Sequence, residues 1–329
     1  MMPKLLTSMI ACVLLTGASP PRATTPLLAI DSDFPDPAAL RASDGWYYVY
    51  ATQGQHDGRM HNIQAARSRD LKSWERIGDV LPVKPRWASQ TQDYWAPHVS
   101  EHDGRYYLYY SAKPDAALTD KARGLCLAVA FATRPEGPFT DIGEPLLCGE
   151  GFVNIDPMAY DDPATGKRLL YWGSGFKPIK VQELSADRVS FAPGSTPVDL
   201  VATVPDEDPK NYRRLVEGAW VVRRSGWYYL FYSGDNCCGP KAHYATLVAR
   251  SRSATGPFAT LPGIVHEAKG NWLAPGHNAV ITDAKGRTWS LYHAVDTRRP
   301  RSKPDADINS RRVMLVEELV WRNGVPRVR

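Results

Sequence analysis

Three acidic residues of this chain open β-forming segments, each ten to twelve residues ahead of an aromatic strand: Asp36 before Pro37, Asp156 before Pro157 and Glu217 before Gly218. Two histidines, His98 and His277, hold the corresponding place ahead of two further strands. An aspartate before a proline has an ordinary reading as a solvated turn residue. Three acids flanked by apolar neighbours and aimed at one axis are costly unless they are used. The chemistry they suit is hydrolysis of a glycosidic bond, in which one carboxylate activates water and a protonated one donates to the leaving oxygen. A third acid nearby raises the pKa of the proton donor and orients it. Acids on separate elements can stand far enough apart to admit a water, which suits inversion. Trp95, Trp172, Phe176 and Trp220 lie close by in sequence and offer stacking platforms for a sugar, packing being their alternative role.

The elements that must position these groups are legible as a repeat. Trp46-Tyr47-Tyr48-Val49-Tyr50, Arg105-Tyr106-Tyr107-Leu108-Tyr109, Arg168-Leu169-Leu170-Tyr171-Trp172, Trp227-Tyr228-Tyr229-Leu230-Phe231 and Thr288-Trp289-Ser290-Leu291-Tyr292 recur about every sixty residues. A β-forming repeat of that length is the signature of a propeller with one blade per unit. Each unit runs from an inner strand through a polar turn to the aromatic strand, then to a small-residue strand such as Gln64-Ala65-Ala66-Arg67-Ser68. Segments starting at Arg312 and turning at Asn323-Gly324 read as a closing hairpin. Helix signals are scarce: 27 prolines are scattered along the chain and no long stretch keeps a 3.6 period. The expected fold is all-β, a five-bladed β-propeller with about four antiparallel strands per blade and the active site in the axial funnel. Residues 24–329 are expected to form this single domain.

Residues 1–23 read as a secretory signal, with Lys4 ahead of an apolar run from Leu5 to Thr16 and small residues after it. The mature chain is therefore expected to be exported, to the periplasm or the outside, to leave the membrane after cleavage, and to act as a monomer. Formal charge is +5 for the whole chain, and basic residues are interleaved with acids except at Arg298-Arg299-Pro300-Arg301 and Arg311-Arg312. That pattern argues against a nucleic-acid partner. Four cysteines follow the signal: Cys126 and Cys148 flank the outer part of the second repeat, and Cys237-Cys238 are neighbours. Export permits bridges within each pair, free thiols at the second pair being the alternative, and no spacing suits zinc.

Taken in order, Phe34-Pro35-Asp36-Pro37, Trp95-Ala96-Pro97, Ile155-Asp156-Pro157, Val216-Glu217-Gly218, Gly276-His277-Asn278 and Arg311-Arg312-Val313-Met314 resemble glycoside hydrolase family 43 across the mature chain. These are five-bladed propellers that cleave arabinan, arabinoxylan and related furanosides or xylosides. The resemblance implies Asp36 as general base, Glu217 as general acid and Asp156 as the acid that tunes and positions Glu217, with inversion and no organic cofactor. It implies for His277 either a structural role or a calcium or other cation near the axis, held largely through water. His98 departs from the acid that relatives often carry after Trp-Ala-Pro, leaving a wall or substrate-binding role. Phe231-Tyr232-Ser233-Gly234, Cys237-Cys238-Gly239 and Trp172-Gly173-Ser174-Gly175-Phe176 resemble the arabinanase-like branch, which implies α-L-arabinofuranosyl linkages of a plant polysaccharide or its oligosaccharides. A β-xylosidase or galactofuranosidase of the same family is the alternative. A sugar-binding propeller without catalysis would have no reason to keep three axial acids. A retaining fructan hydrolase would start with Asn-Asp-Pro-Asn-Gly, absent here. Residues 204–214 form a candidate wall beside Glu217, or an ordinary surface loop.

Overall fold

The computed structural model describes residues 25–206, 208, 210–299 and 311–329; the expected signal at 1–23 and the Pro300-Arg301 end of one basic cluster lie outside them. Five antiparallel sheets form the five blades of a propeller. Blade 1 orders Ala38–Arg41, Tyr47–Ala51, Gln64–Ser68 and Glu75–Asp79 from the axis outward. Blade 2 uses Tyr94–His102, Arg105–Ala112, Cys126–Ala132 and Thr140–Asp141, with Leu147–Cys148 also on its third strand. Blade 3 is built from Met158–Asp161, Arg168–Trp172, Ile179–Glu183 and Val198–Val201, and blade 4 from Val216–Arg224, Trp227–Asn236, His243–Ser251 and Ala259–Thr260. In blade 5, Trp272–Thr282, Thr288–Asp296 and Arg312–Arg322 come from the end of the chain, but the outer strand is Leu27–Ile30 from its beginning. That strand closes the ring. The expected hairpin is also present, joining Arg312–Arg322 to Val325–Val328 through Asn323 and Gly324, both at positive φ as a tight hairpin turn requires.

The aromatic strands are buried along most of their length because each is sandwiched between two neighbouring blades. Tyr50, Tyr109 and Tyr171 occupy one register position, opposite Ala38, His98 and Met158, and all three are fully buried. Each donates its hydroxyl to a backbone carbonyl of the next blade: Tyr50 to Pro135 at 2.8 Å, Tyr109 to Arg188 at 2.8 Å and Tyr171 to Ala254 at 2.6 Å. Burying such a ring contributes about 3 kcal/mol, against about 1 kcal/mol net for its hydrogen bond. Packing therefore supplies the stability, and the hydroxyl sets the direction of the ring. Cys126–Cys148 and Cys237–Cys238 are both disulfides. The first ties the third strand of blade 2 to the short strand Leu147–Cys148 paired with it. Among the described residues no helix is long and apolar enough to cross a membrane.

Candidate active site

The register of the inner strands defines the axis. Ala38, His98, Met158, Trp220 and Ala279 pair with the aligned residues Tyr50, Tyr109, Tyr171, Phe231 and Leu291. Two positions upstream of each lies a residue in the left-handed region: Asp36 (φ 57°), Ala96 (46°), Asp156 (61°), Gly218 (62°) and His277 (49°). For a non-glycine residue that conformation costs about 1–3 kcal/mol, and such strain gathers at functional sites. Asp36, Asp156 and His277 thus share one phase, as their spacing suggests. Glu217 does not: it stands one residue earlier, at the place of Trp95 and Gly276, and Gly218 holds the common position on a bulge that blades 2 and 5 share. Gly218 takes that conformation without strain, and a Cβ on it would come to 3.2 Å from the His277 ring.

The expected axial role of His98 is likewise corrected. Ala96 holds the common position in blade 2, and His98 lies in the buried layer beneath. His98 comes from blade 2 and Trp220 from blade 4, which are not neighbours, yet their rings are 5.2 Å apart. They meet across the axis and close the floor of the funnel. The His98 Nδ1 accepts the Ala159 N–H, and burial pushes this imidazole down to about 3, so it is neutral. Trp220 donates Nε1–H to the Val280 carbonyl. Trp172 is also not a platform: it is 1% exposed, packs between blades 2 and 3, and donates to Asn154 Oδ1. Of the aromatics expected at the surface, Phe176 is 69% exposed, and Trp95 is partly exposed and stacked on Phe152 at 6.0 Å.

Around the axis a side chain from one blade takes the N–H of the left-handed residue of the next. Ala96 donates to Thr52 Oγ1 (2.8 Å), Asp156 to Ser111 Oγ (3.1 Å), His277 to Ser233 Oγ (2.7 Å) and Asp36 to His293 Nδ1 (3.1 Å). Between blades 3 and 4 the equivalent residue is Gly173, and the Gly218 N–H goes to Asp156 Oδ2 at 3.0 Å. One catalytic candidate thereby holds the turn that carries another.

The Asp36 carboxylate accepts from Thr52 Oγ1 at 2.5 Å and from Arg312 Nη1 at 3.1 Å, and its Oδ1 lies 3.5 Å from His277 Nδ1. Burial alone would raise its pKa, but the Arg312 guanidinium and the two imidazoles outweigh burial and hold the carboxyl well below the usual range. Asp156 moves the other way: burial, then the charges of Glu217 and Asp36, push it well above. Glu217 is raised by burial, opposed by hydrogen bonds from Ser174 Oγ (2.5 Å to Oε2) and Tyr244 OH (2.8 Å to Oε1). The pair titrates as a unit and keeps a proton above the pH at which an isolated carboxyl would lose it. The funnel therefore holds one ionised carboxylate and a proton-retaining pair, which is the division of labour that general base and general acid need.

His277 supplies a single imidazole toward the axis, and among the described residues no group of three or more histidines, cysteines or acids is arranged to cage a metal. A hard cation there would take most of its shell from water. In the expected wall segment, the described residues Val204 and Asn211 are bonded to each other through Asn211 Nδ2 and the Val204 carbonyl, and Tyr212 stacks on His243 of blade 4 at 4.2 Å. Arg312 and Ser174 lie in motifs that carry the resemblance but had no role of their own in the sequence reading, and Thr52, His293, Tyr244 and Phe152 had none. Their signal is positional: Thr52 and His293 each follow an aligned aromatic-strand residue by two.

A model of the family described as glycosyl hydrolases family 43 matches residues 24–326. The chain is 30% identical over 282 residues to a probable arabinan endo-1,5-α-L-arabinosidase A of Aspergillus flavus, covering 80% of this chain and 82% of that one. It is 29% identical over 279 residues to a β-D-galactofuranosidase of Aspergillus niger, covering 79% and 73%. The crystal structure of a thermostable family-43 glycoside hydrolase superposes with a TM-score of 0.73 at 25% identity, covering 94% of this chain and 96% of that one. A Cellvibrio cellulosa α-L-arabinanase complexed with arabinohexaose shares the fold, with a TM-score of 0.72 at 20% identity and 90% and 95% coverage.

Proposed function

The chain belongs to glycosyl hydrolase family 43 and hydrolyses O-glycosyl bonds, and from that premise we propose that it cleaves α-L-arabinofuranosyl linkages of arabinan or its oligosaccharides with inversion. The observation that carries the mechanism is the opposite perturbation of the axial carboxyls, Asp36 held down and Asp156 and Glu217 pushed up. In this reading Asp36 takes a proton from water as the water oxygen attacks the anomeric carbon. The C–O bond to the leaving group breaks on the opposite face, its electron pair goes to the leaving oxygen, and Glu217 donates the proton that oxygen needs. Asp156 holds the Gly218 N–H and so positions Glu217, its expected tuning of the acid adding to the burial and the Asp36 charge that raise Glu217. Trp95 and Phe176 would meet sugar rings at the rim. An axial cation on His277, no organic cofactor, export after removal of residues 1–23 and action as a monomer complete the proposal.

The sugar is supported by the Aspergillus flavus relative; the Aspergillus niger relative favours a galactofuranoside as second reading. Incubation with linear arabinan, arabino-oligosaccharides, arabinoxylan, xylobiose and an aryl galactofuranoside separates them. Arabinose or its oligomers should appear from arabinan. Turnover of the galactofuranoside or xylobiose with arabinan left intact would overturn the assignment, and the product lengths distinguish endo from exo action.

A further inference from the structure

The third blade junction differs from the other four. In blades 1, 2, 4 and 5 the second-strand residue two beyond the aligned position is Thr52, Ser111, Ser233 or His293, and each receives an N–H from the next blade. In blade 3 that residue is Gly173, at φ 140°, where a Cβ would come within 2.9 Å of the Pro178 carbonyl. No side chain fits. The hydroxyl instead appears one residue later, on Ser174, and points at Glu217 Oε2. Tyr244 reaches the other oxygen, Oε1. Both hydroxyl residues are 1% exposed. The Tyr244 ring stacks parallel to His293, with centroids 5.8 Å apart, and lies so close to Gly276 that a Cβ there would fall 2.3 Å from Tyr244 Cδ1.

We propose that Ser174 and Tyr244 form a two-hydroxyl clamp, positioning residues that hold the carboxyl of Glu217 by one hydrogen bond to each of its oxygens. This rests on the reading of Glu217 as general acid. A carboxylate has about four lone-pair directions. The clamp takes one on each oxygen and leaves one on each for the transferred proton. Burial drives the acid upward while the hydroxyls pull it back, so the group stays protonated yet can still release its proton to the leaving oxygen. Gly276 belongs to the device: it leaves room for the tyrosine ring.

The test measures kcat/KM against pH for Ser174→Ala, Tyr244→Phe and Gly276→Ala, with Glu217→Gln as reference, on a natural linkage and on an activated aryl glycoside. Each clamp variant should lose about ten- to a hundredfold on the natural linkage and less on the aryl one, as expected for a lost hydrogen bond to a charged group. Removing a donor to the carboxylate disfavours its charged form, so the alkaline limb should move up by about one pH unit. Gly276→Ala should reproduce the Tyr244→Phe profile although the hydroxyl is still present. An alkaline limb at the wild-type position in Ser174→Ala and Tyr244→Phe overturns the clamp, whatever the loss in rate. If Ser174→Ala does not fold, Tyr244→Phe decides. A Glu217→Gln enzyme that keeps the wild-type limb would instead sink the assignment of the acid itself.

Discussion

Arg312 offers the sharpest test of how the base is kept ionised. Its Nη1 stands 3.1 Å from Asp36 Oδ1 in a nearly closed setting, the arginine side chain being 15% exposed and the aspartate 10%. Taking charge centres about 4 Å apart and an effective dielectric near 20, the attraction is about 4 kcal/mol. At 1.36 kcal/mol per pKa unit that is about three units of support for the carboxylate. His277 and His293 remain beside Asp36 in Arg312→Gln, and water enters the space vacated. The acidic limb of kcat/KM should therefore rise by about one to two pH units rather than three. Arg312→Lys, which keeps a charge but loses the fork, should lie between. The assay is a pH profile on an aryl arabinofuranoside, with folding checked by circular dichroism at each pH. The backbone of residue 312, which accepts from the Phe34 N–H and donates to Asp33, is unchanged by either substitution. An acidic limb that stays at its wild-type position in Arg312→Gln would refute the reasoning, because the guanidinium would then have no part in holding Asp36 charged.

Glu217→Gln should lower turnover of poor leaving groups by about 10²- to 10⁴-fold, the usual range for general acid catalysis, and turnover of activated aryl glycosides much less; equal losses on both would remove Glu217 from that role. Asp156→Asn should cost activity yet raise the melting temperature at neutral pH. Its folded pKa is raised, so its contribution to stability is full below the unfolded value of about 4, is lost as pH rises through the folded pKa, and becomes a liability at neutral pH. A melting temperature unchanged between pH 5 and 8 in the variant relative to wild type would count against the burial of that charge. Replacing Cys126 and Cys148 by serine opens a loop of 22 residues and should lower stability by about 2–4 kcal/mol in denaturant titration; no change would mean the bridge does not constrain the unfolded chain.

The blades were legible because aromatic strands buried on both faces leave a period that nothing else in the chain imitates. Gln64–Ser68 was placed residue for residue. Ring closure was not: Leu27–Ile30 is four residues long and pairs with a partner almost three hundred residues away, so no local pattern marks it. The site was legible to within one residue. Asp36 and Asp156 share a phase, whereas Glu217 stands one residue ahead of it, and which residue takes the common place on a bulge is invisible until strands are paired. His98 failed for the same reason of register, two positions placing it in the floor rather than the wall. Trp172 shows the limit of composition, since a tryptophan on a doubly buried strand reads like a sugar platform until its neighbours are known. Ser174 and Tyr244 come from different blades, and only their convergence on one carboxyl gives them meaning.

The most direct test of the account is the anomeric configuration of the first sugar released, followed by proton NMR before mutarotation. If Asp36 activates water while Glu217 protonates the leaving oxygen, an α-L-arabinofuranoside must first yield the β anomer. Appearance of the α anomer first would require a covalent intermediate on one of the axial carboxylates, and would contradict the roles assigned to Asp36 and Glu217.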